Sequence, residues 1–297
     1  MQIGVHHIIG RQKPGRCAGA IMIAFVALSG FSCIASAKAE STSESRSKTS
    51  LRVLTYNVFV GFKNDDKRHE HAVAWIAAQK PDVVALQELN RYTEKKLKED
   101  ANSWGHSYVQ LYKVKYGFHL GLTSRKPIRN VHLIARDGIW HGIIYGQTYG
   151  IDFFVLHLAP KPENIRLPET KIILSEIRKI QSVERPTVLL GDFNSASRLD
   201  KEYYQHESRY KPKYSVMDQY LNGGWVDLVH QHQGTLTEKQ ASRPSLLIED
   251  KRGFWRIDYI LASAQLAQKC ISARVMKDPA TDYLSDHYPV MADFDWP

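Results

Sequence analysis

Five apolar segments of the chain carry a carboxylate, an amide or an imidazole at or beside one end. Asn57 lies in Leu51–Val60 (LRVLTYNVFV), Glu88 follows Val83–Gln87 (VVALQ), and His157 ends Ile151–His157 (IDFFVLH). Asp192 and Asn194 follow Thr187–Leu190 in TVLLGDFN, and Asp286 and His287 open the last apolar run, Tyr288–Phe294. A carboxylate beside a buried strand is costly unless it is paired or bound to a cation. Strand ends in layered α/β folds are where reacting groups are commonly mounted. A hard cation such as Mg²⁺ takes oxygen ligands from one or two carboxylates and keeps waters besides. Glu88 and Asp286 are suited to that task, with Asn57 holding the same cluster through its amide. Asp192 and Asn194 stand two residues apart and share a side of the chain. Asp286 and His287 are adjacent and face opposite ways, so each can serve one cleft in a different role. Asp258, inside the apolar run Arg256-Ile257-Asp258-Tyr259-Ile260, needs a partner. Two uses stand open: orienting a histidine and raising its basicity, or a buried pair with an arginine.

Other clusters carry less. His69 and His71 fall on a highly charged helix start and read as solvated; His230 and His232 flank a Gln-rich loop. Ser195 lacks the Gly-x-Ser-x-Gly setting of a serine hydrolase. There is no Walker loop and no dinucleotide glycine fingerprint.

The elements that must position these groups alternate. Strands are expected at Leu51–Val60, Val83–Gln87, Tyr108–Val114, Phe118–Thr123, Ile128–Ala135, Gly142–Thr148, Ile151–His157, Thr187–Leu190, Trp255–Leu261, Ile271–Met276 and Tyr288–Phe294. Helices are expected at Asp66–Gln79, with Ala72, Ile76 and Gln79 inward, at Thr93–Asp100, and at Asn164–Ile180, with Ile165, Ile172, Ile173, Ile177 and Ile180 inward. Leu199–Asn222 and Gly234–Gly253 are long, polar and without pattern. Strand-rich hairpins with helices around them point to two packed sheets with helices outside.

The first 39 residues belong to another class. Arg11, Lys13 and Arg16 precede an apolar stretch from Cys17 to about Ile34, followed by Ala35-Ser36-Ala37-Lys38-Ala39. That order matches a secretory signal cleaved after Ala37 or Ala39, and implies a secreted or periplasmic protein. A retained membrane anchor and a lipid-modified Cys33 are the other readings. Residues 40–50 (ESTSESRSKTS) read as a linker, and 51–297 as one domain. The signal holds four of the 40 Lys and Arg and none of the 31 Asp and Glu, so the remainder has 36 against 31, a charge of about +5. A mild positive excess favours anionic partners. Cys17 and Cys33 leave with the signal, so Cys270 has no intramolecular disulfide partner.

Six segments stand in a recognisable order: Val53–Val60, Gln87-Glu88, the strand ending His157-Leu158-Ala159-Pro160, Gly191-Asp192-Phe193-Asn194, Arg256–Ile260 and Ser285-Asp286-His287. Together they resemble the endonuclease/exonuclease/phosphatase superfamily over about residues 51–295. The resemblance implies a four-layered α/β/β/α sandwich, two packed mixed sheets flanked by helices, with the active site at one edge of the sheets. It implies Mg²⁺ or Mn²⁺ as cofactor, Glu88 as main metal ligand, and Asn57 and Asp286 near the metal. By likeness Asp192 and Asn194 contact the scissile phosphate and attacking water. His287, oriented by Asp258, is general base or phosphate stabiliser, and His157 acts near the leaving group. Tyr56-Asn57-Val58-Phe59-Val60-Gly61 departs from the Trp-Asn-x-Asn-Gly start of abasic-site endonucleases, whereas His157-Leu158-Ala159-Pro160 looks more like secreted deoxyribonucleases. The expected activity is hydrolysis of a phosphate ester, foremost a nucleic-acid phosphodiester, with Arg125, Lys126 and Arg166 as candidate phosphate contacts. A sphingomyelinase-like or inositol-phosphatase-like enzyme is the alternative, with Trp140, Trp225 and Trp255 as a candidate apolar surface. A non-catalytic binding protein that keeps the fold is the third reading. No obligate protein partner is indicated, and membrane contact is expected only through an uncleaved signal.

Overall fold

The computed structural model describes residues 50–115, 117–182, 184–206, 211–251 and 253–297. The expected signal segment and nearly all of the linker lie outside the described residues. The elements in chain order are β1 (Ser50–Asn57), α1 (Phe59–Phe62), α2 (Asp66–Gln79), β2 (Val83–Gln87), α3 (Glu94–Ser103), β3 (Tyr108–Tyr112), β4 (Leu120–Ser124), β5 (Arg129–Ile134), β6 (Ile143–Thr148), β7 (Ile151–His157), α4 (Glu163–Ile180) and β8 (Thr187–Asp192). They continue with α5 (Lys201–His206), α6 (Ser215–Asn222), β9 (Val226–Asp227), α7 (Leu228–Gln233), β10 (Asp258–Ala262), α8 (Ala264–Ala267), β11 (Cys270–Val275) and β12 (Val290–Asp295).

The strands form two six-stranded sheets, ordered β11-β12-β1-β2-β4-β3 and β5-β6-β7-β8-β10-β9. Each has one parallel pair at its centre: β1 with β2, and β7 with β8. A parallel pair needs a long crossover, which α2 and α4 provide. The Asp65 carboxylate starts α2 by accepting from the Arg68 N–H, and Thr93 starts α3 by accepting from the Lys96 N–H. Within each pair both strands end at the same edge. Asn57 lies opposite Gln87, His157 opposite Asp192, and Asp258 of antiparallel β10 opposite Asp192 from the other side.

Successive strand residues face opposite sides, and both sides of the central strands are buried, which accounts for their unbroken apolar runs. Val53, Val83, Ala85 and Leu122 meet Phe153, Val155, Val188 and Leu190 between the sheets. On one outer face Leu54, Tyr56, Val84 and Leu86 pack with Ala72, Trp75, Ile76 and Leu97 of α2 and α3. On the other, Phe154, Leu156, Leu189 and Tyr259 pack with Ile173, Leu174 and Ile177 of α4 and Val216, Met217 and Tyr220 of α6. This is the expected four-layered α/β sandwich. Among the described residues no helix is long and apolar enough to cross a membrane.

Several boundaries differ from expectation. The first strand stops at Asn57 and not Val60, because Phe59, Val60, Phe62, Lys63 and Asn64 adopt positive φ and curl the chain back toward Glu88. The last strand begins at Val290, because Asp286–Tyr288 bond instead to the segment around Ser242 and Ser245: the Ser245 N–H to the Asp286 carbonyl, the Tyr288 N–H to the Ser242 carbonyl. β10 starts at Asp258, since Trp255 pairs with Arg243 in an isolated bridge. In α4, Ile165 is 42% exposed and Leu174 takes the inward place. The stretch 199–222 is not structureless but contains α5 and α6. His69 is half-buried and paired with Asp100 at 2.8 Å, not solvated.

Gly191 precedes Asp192 where β8 passes closest to β7. Its φ is +139°, and a β-carbon there would sit 1.9 Å from the Leu156 carbonyl oxygen and 3.2 Å from Gln87 Nε2. Backbone blocks that atom on one side and the opposite sheet on the other. Gly191→Ala is expected to destabilise the fold by more than about 3 kcal/mol, read as a fall in thermal midpoint or loss of soluble protein. A midpoint within a degree of the parent would show that the strands part without cost.

Candidate active site

The carboxyl ends of β1, β2, β7 and β8 and the loop before β12 converge on one cleft of about 700 Å³. Glu88, His157, Asp192, Asn194, Asp286 and His287 all line it. Asn57 and Asp258 stand just behind, each hydrogen-bonded to members of the group. The structure therefore brings together all eight residues singled out in the sequence.

Asn57 joins the two sheets at this point. Its Nδ2 donates to Glu88 Oε1 at 3.1 Å and to Asp192 Oδ2 at 3.0 Å, while its Oδ1 accepts from the Phe59 N–H. It braces two carboxylates and turns its own oxygen away from them. Glu88 takes a second donor, the Val60 N–H at 2.9 Å, presented by the curled segment after β1. Glu88 itself sits at φ +63° and Asn194 at φ +47°, a conformation non-glycine residues hold only where surroundings enforce it. Burial raises the Glu88 carboxyl above its usual range, with Asp286 adding and His287 opposing.

His287 Nδ1 lies 2.8 Å from Asp258 Oδ2, which fixes the proton on Nδ1 and leaves Nε2 facing the cleft. The alternative use of Asp258 does not occur. Arg256 is fully buried and pairs with Asp200 and Asp227 instead. Asp258 is held in turn by its own N–H donating to Ser242 Oγ. His287 Nε2 lies 3.9 Å from Asp192 Oδ2 and 4.0 Å from Asp286 Oδ1. Burial alone lowers the imidazole, but Asp258 and then Asp286 outweigh it and push His287 up to about 10. Asp192, buried and beside Asp258, is pushed up to about 7 despite His287 and the donors Asn194 N–H and Asn57 Nδ2. Asn194 donates its amide to the Leu158 carbonyl at 2.9 Å, locking the turn that aims Asp192.

On the far side of Asp192, His157 Nε2 approaches Oδ2 at 3.5 Å. Burial, with His141 and His287 nearby, lowers His157 well below its usual range and keeps it neutral. Its ring stacks against both Phe118 and His141, at centroid distances of 5.5 and 4.3 Å, and those two rings lie 5.1 Å from each other, closing a triangle of three rings.

The donor set fits a hard divalent cation. Asp286 Oδ1 is buried and accepts no hydrogen bond, and Glu88 and Asp286 offer carboxylate oxygens to one cleft. A tighter group, Asp192, Asp258 and His287, has three ligand atoms within 4.8 Å of one another. There Asp258 is already engaged by His287, so Glu88 and Asp286 are the better oxygen pair.

Several neighbours were given no role of their own from the sequence. Arg243 contacts Asp286 Oδ2 at 3.5 Å and Asp250 at 2.8 Å from inside the unpatterned 234–253 stretch. Ser285 donates to the Asn57 carbonyl at 2.6 Å. His141 directly precedes the expected strand Gly142–Thr148 but stands beside no other candidate residue in the sequence. Of the basic residues proposed as phosphate contacts, Arg166 lines the cleft. Arg125 and Lys126 do not: β4 ends at Ser124 opposite Val83, the start of β2, so both lie at the other edge of the sheet. The three tryptophans are also dispersed. Trp225 is core, Trp255 is 8% exposed in the cleft wall, and Trp140 is 45% exposed.

The Endonuclease/Exonuclease/phosphatase family model matches residues 54–287. Exodeoxyribonuclease III of Haemophilus influenzae is 28% identical over 250 residues, spanning 74% of this chain and 92% of that protein. An AP endonuclease from Archaeoglobus fulgidus superposes with a TM-score of 0.65 at 21% identity, covering 82% of this chain and 99% of that one. The 3' phosphatase NExo from Neisseria does so with a TM-score of 0.63 at 23% identity, covering 83% and 100%. With its six motifs gathered in one acidic cleft and the family's model matched across the domain, the chain belongs to the endonuclease/exonuclease/phosphatase family and is a metal-dependent phosphoric ester hydrolase.

Proposed function

We propose that the chain is an exported nuclease that hydrolyses nucleic-acid phosphodiesters with Mg²⁺ or Mn²⁺. The observation that carries this reading is the bracing of Glu88 and Asp192 by one amide, beside an Asp258–His287 pair in the same cleft. A phosphodiester is anionic and repels a nucleophile. Glu88 and Asp286 would hold the cation, which would supply neutralisation of the phosphate oxygens and of the developing charge. Protonated His287 donates from Nε2 to a phosphate oxygen, and Asp258 holds the ring for that task. Asp192, fixed by Asn57 and the Asn194 N–H, takes the proton of the attacking water. Neutral His157 lies on the other side of Asp192, where it meets the leaving oxygen. No covalent nucleophile is needed.

The nucleic-acid reading draws support from Lys161, Arg166, Lys211 and Lys213, which line the same cleft, and from the named activities of the relatives. Export rests on the order of basic, apolar and small residues before position 40. N-terminal sequencing of the protein recovered from the medium or periplasm is expected to start after Ala37 or Ala39. An intact N-terminus in a membrane pellet would count against export.

Glu88→Ala and His287→Ala are each expected to lower kcat by about 10²–10⁴-fold, with the circular dichroism spectrum unchanged. A chelator is expected to abolish turnover and added Mg²⁺ or Mn²⁺ to restore it. The substrate panel is DNA, RNA, sphingomyelin, inositol phosphates and a chromogenic diester. Hydrolysis confined to the lipid or the inositol phosphates would replace the nuclease reading, and full activity in both variants would dismantle the site.

A further inference from the structure

Beside the cleft, on the His157 side, stands a surface that the chemistry does not use. Trp140, 45% exposed, lies there next to the cleft-lining Lys161. Its ring meets His141 edge-on at 6.5 Å, and His141 stacks on His157 at 4.3 Å, so one buried ring separates Trp140 from the reacting centre. The Lys161 ammonium lies 5.3 Å from the centre of the Trp140 ring, and Lys161 also lines the cleft.

This surface is built. Glu169 of α4 is buried at 1% exposure, and Arg166 is the cation whose charge reaches it. Its two oxygens accept from the Trp140 N–H at 2.8 Å and the Ala159 N–H at 2.9 Å. A buried carboxylate thus fastens the loop carrying Trp140 to the chain leaving His157. Arg166 fastens the neighbouring turn, donating to Ser195 Oγ at 2.9 Å and to the Lys161 carbonyl. Burying a charge to hold two backbone amides is costly, and here it fixes an aromatic side chain that is left half in water.

Resting on the nuclease reading of the same cleft, we propose that Trp140 and Lys161 form a stacking subsite on the leaving-group side. It takes an unpaired nucleobase on the indole, with the adjoining phosphate on the ammonium. Every base has a π face, so such a platform grips single strands or frayed ends without regard to sequence. A fully paired duplex keeps its bases stacked on one another and cannot use it. The basic lining of the cleft by Lys161, Arg166, Lys211 and Lys213 suits a chain of phosphates.

The test compares two single-stranded oligonucleotides of equal length, one with bases and one with tetrahydrofuran residues in place of every nucleoside, using Mg²⁺ and the whole mature chain. The parent protein is expected to show a KM about ten-fold lower for the base-bearing strand. In Trp140→Ala that ratio is expected to fall toward one, and in Trp140→Phe to be largely retained. An unchanged ratio in Trp140→Ala overturns the subsite while leaving the nuclease reading intact. Failure of the parent to cut either strand overturns the subsite, and overturns the nuclease reading with it when duplex DNA and RNA also stay intact. Intrinsic fluorescence adds an independent readout. Quenching by the base-bearing strand that is lost in Trp140→Phe supports stacking. A blue shift with phosphatidylcholine–sphingomyelin vesicles, with no response to the strand, would assign Trp140 to a lipid surface instead.

Discussion

Concentrated negative charge is the constraint that shapes this molecule. Glu88, Asp192 and Asp286 line one cleft, with Asp258 just behind, because the carboxyl ends of two parallel strand pairs, the start of antiparallel β10 and the loop before β12 meet at the same edge. Like charges in a medium of low dielectric repel strongly, and each carboxylate is accordingly given a partner. Asn57 serves Glu88 and Asp192, the Val60 and Asn194 N–H groups add one bond each, His287 serves Asp258, and Arg243 reaches Asp286. The provision is incomplete at Asp286 Oδ1 and at the open side of Glu88, where a divalent ion would complete it. The left-handed backbone at Glu88 and Asn194 is what this arrangement costs locally.

Away from the cleft, buried charges act as fasteners. Arg256 ties Asp200, ahead of α5, to Asp227 at the edge of the second sheet. Glu169 ties the β5–β6 connection to the exit of β7. The first joins the turn ahead of α5 to strand β9, and the second joins two loops. Hydrophobic packing positions the layers, and these polar clasps help to position the segments between layers, at Arg256 together with the buried cluster of Tyr204, Leu236, Trp255 and Ile257.

Much of this was legible in the sequence because strand ends advertise themselves. A polar residue that closes an apolar run, as Glu88, His157 and Asp192 do, is conspicuous, and so is an aspartate inside Arg256–Ile260. Each reading needed only local pattern. The roles of Arg243, Ser285, His141 and Glu169 were not legible for the opposite reason. They depend on partners elsewhere in the chain, from 10 residues away for Glu169 and Ala159 to 228 for Ser285 and Asn57. The long 199–222 stretch hid α5 and α6 because its helices are short and pinned from outside. The misplacement of Arg125 and Lys126 has the same root: composition says that a residue is basic, but only topology says at which edge of the sheet it stands.

The two sheets have the same plan, a parallel pair flanked by antiparallel strands, and the reacting groups are divided between them. Asn57 and Glu88 belong to one sheet, His157, Asp192 and Asp258 to the other. The span between these groups is therefore inherited from the thickness of the apolar layer between the sheets. Val53, Val83, Val155 and Leu190 act as shims. A methylene added or removed there, remote from any substrate atom, changes the gauge of the site itself, because close-packed interiors transmit such strain instead of absorbing it.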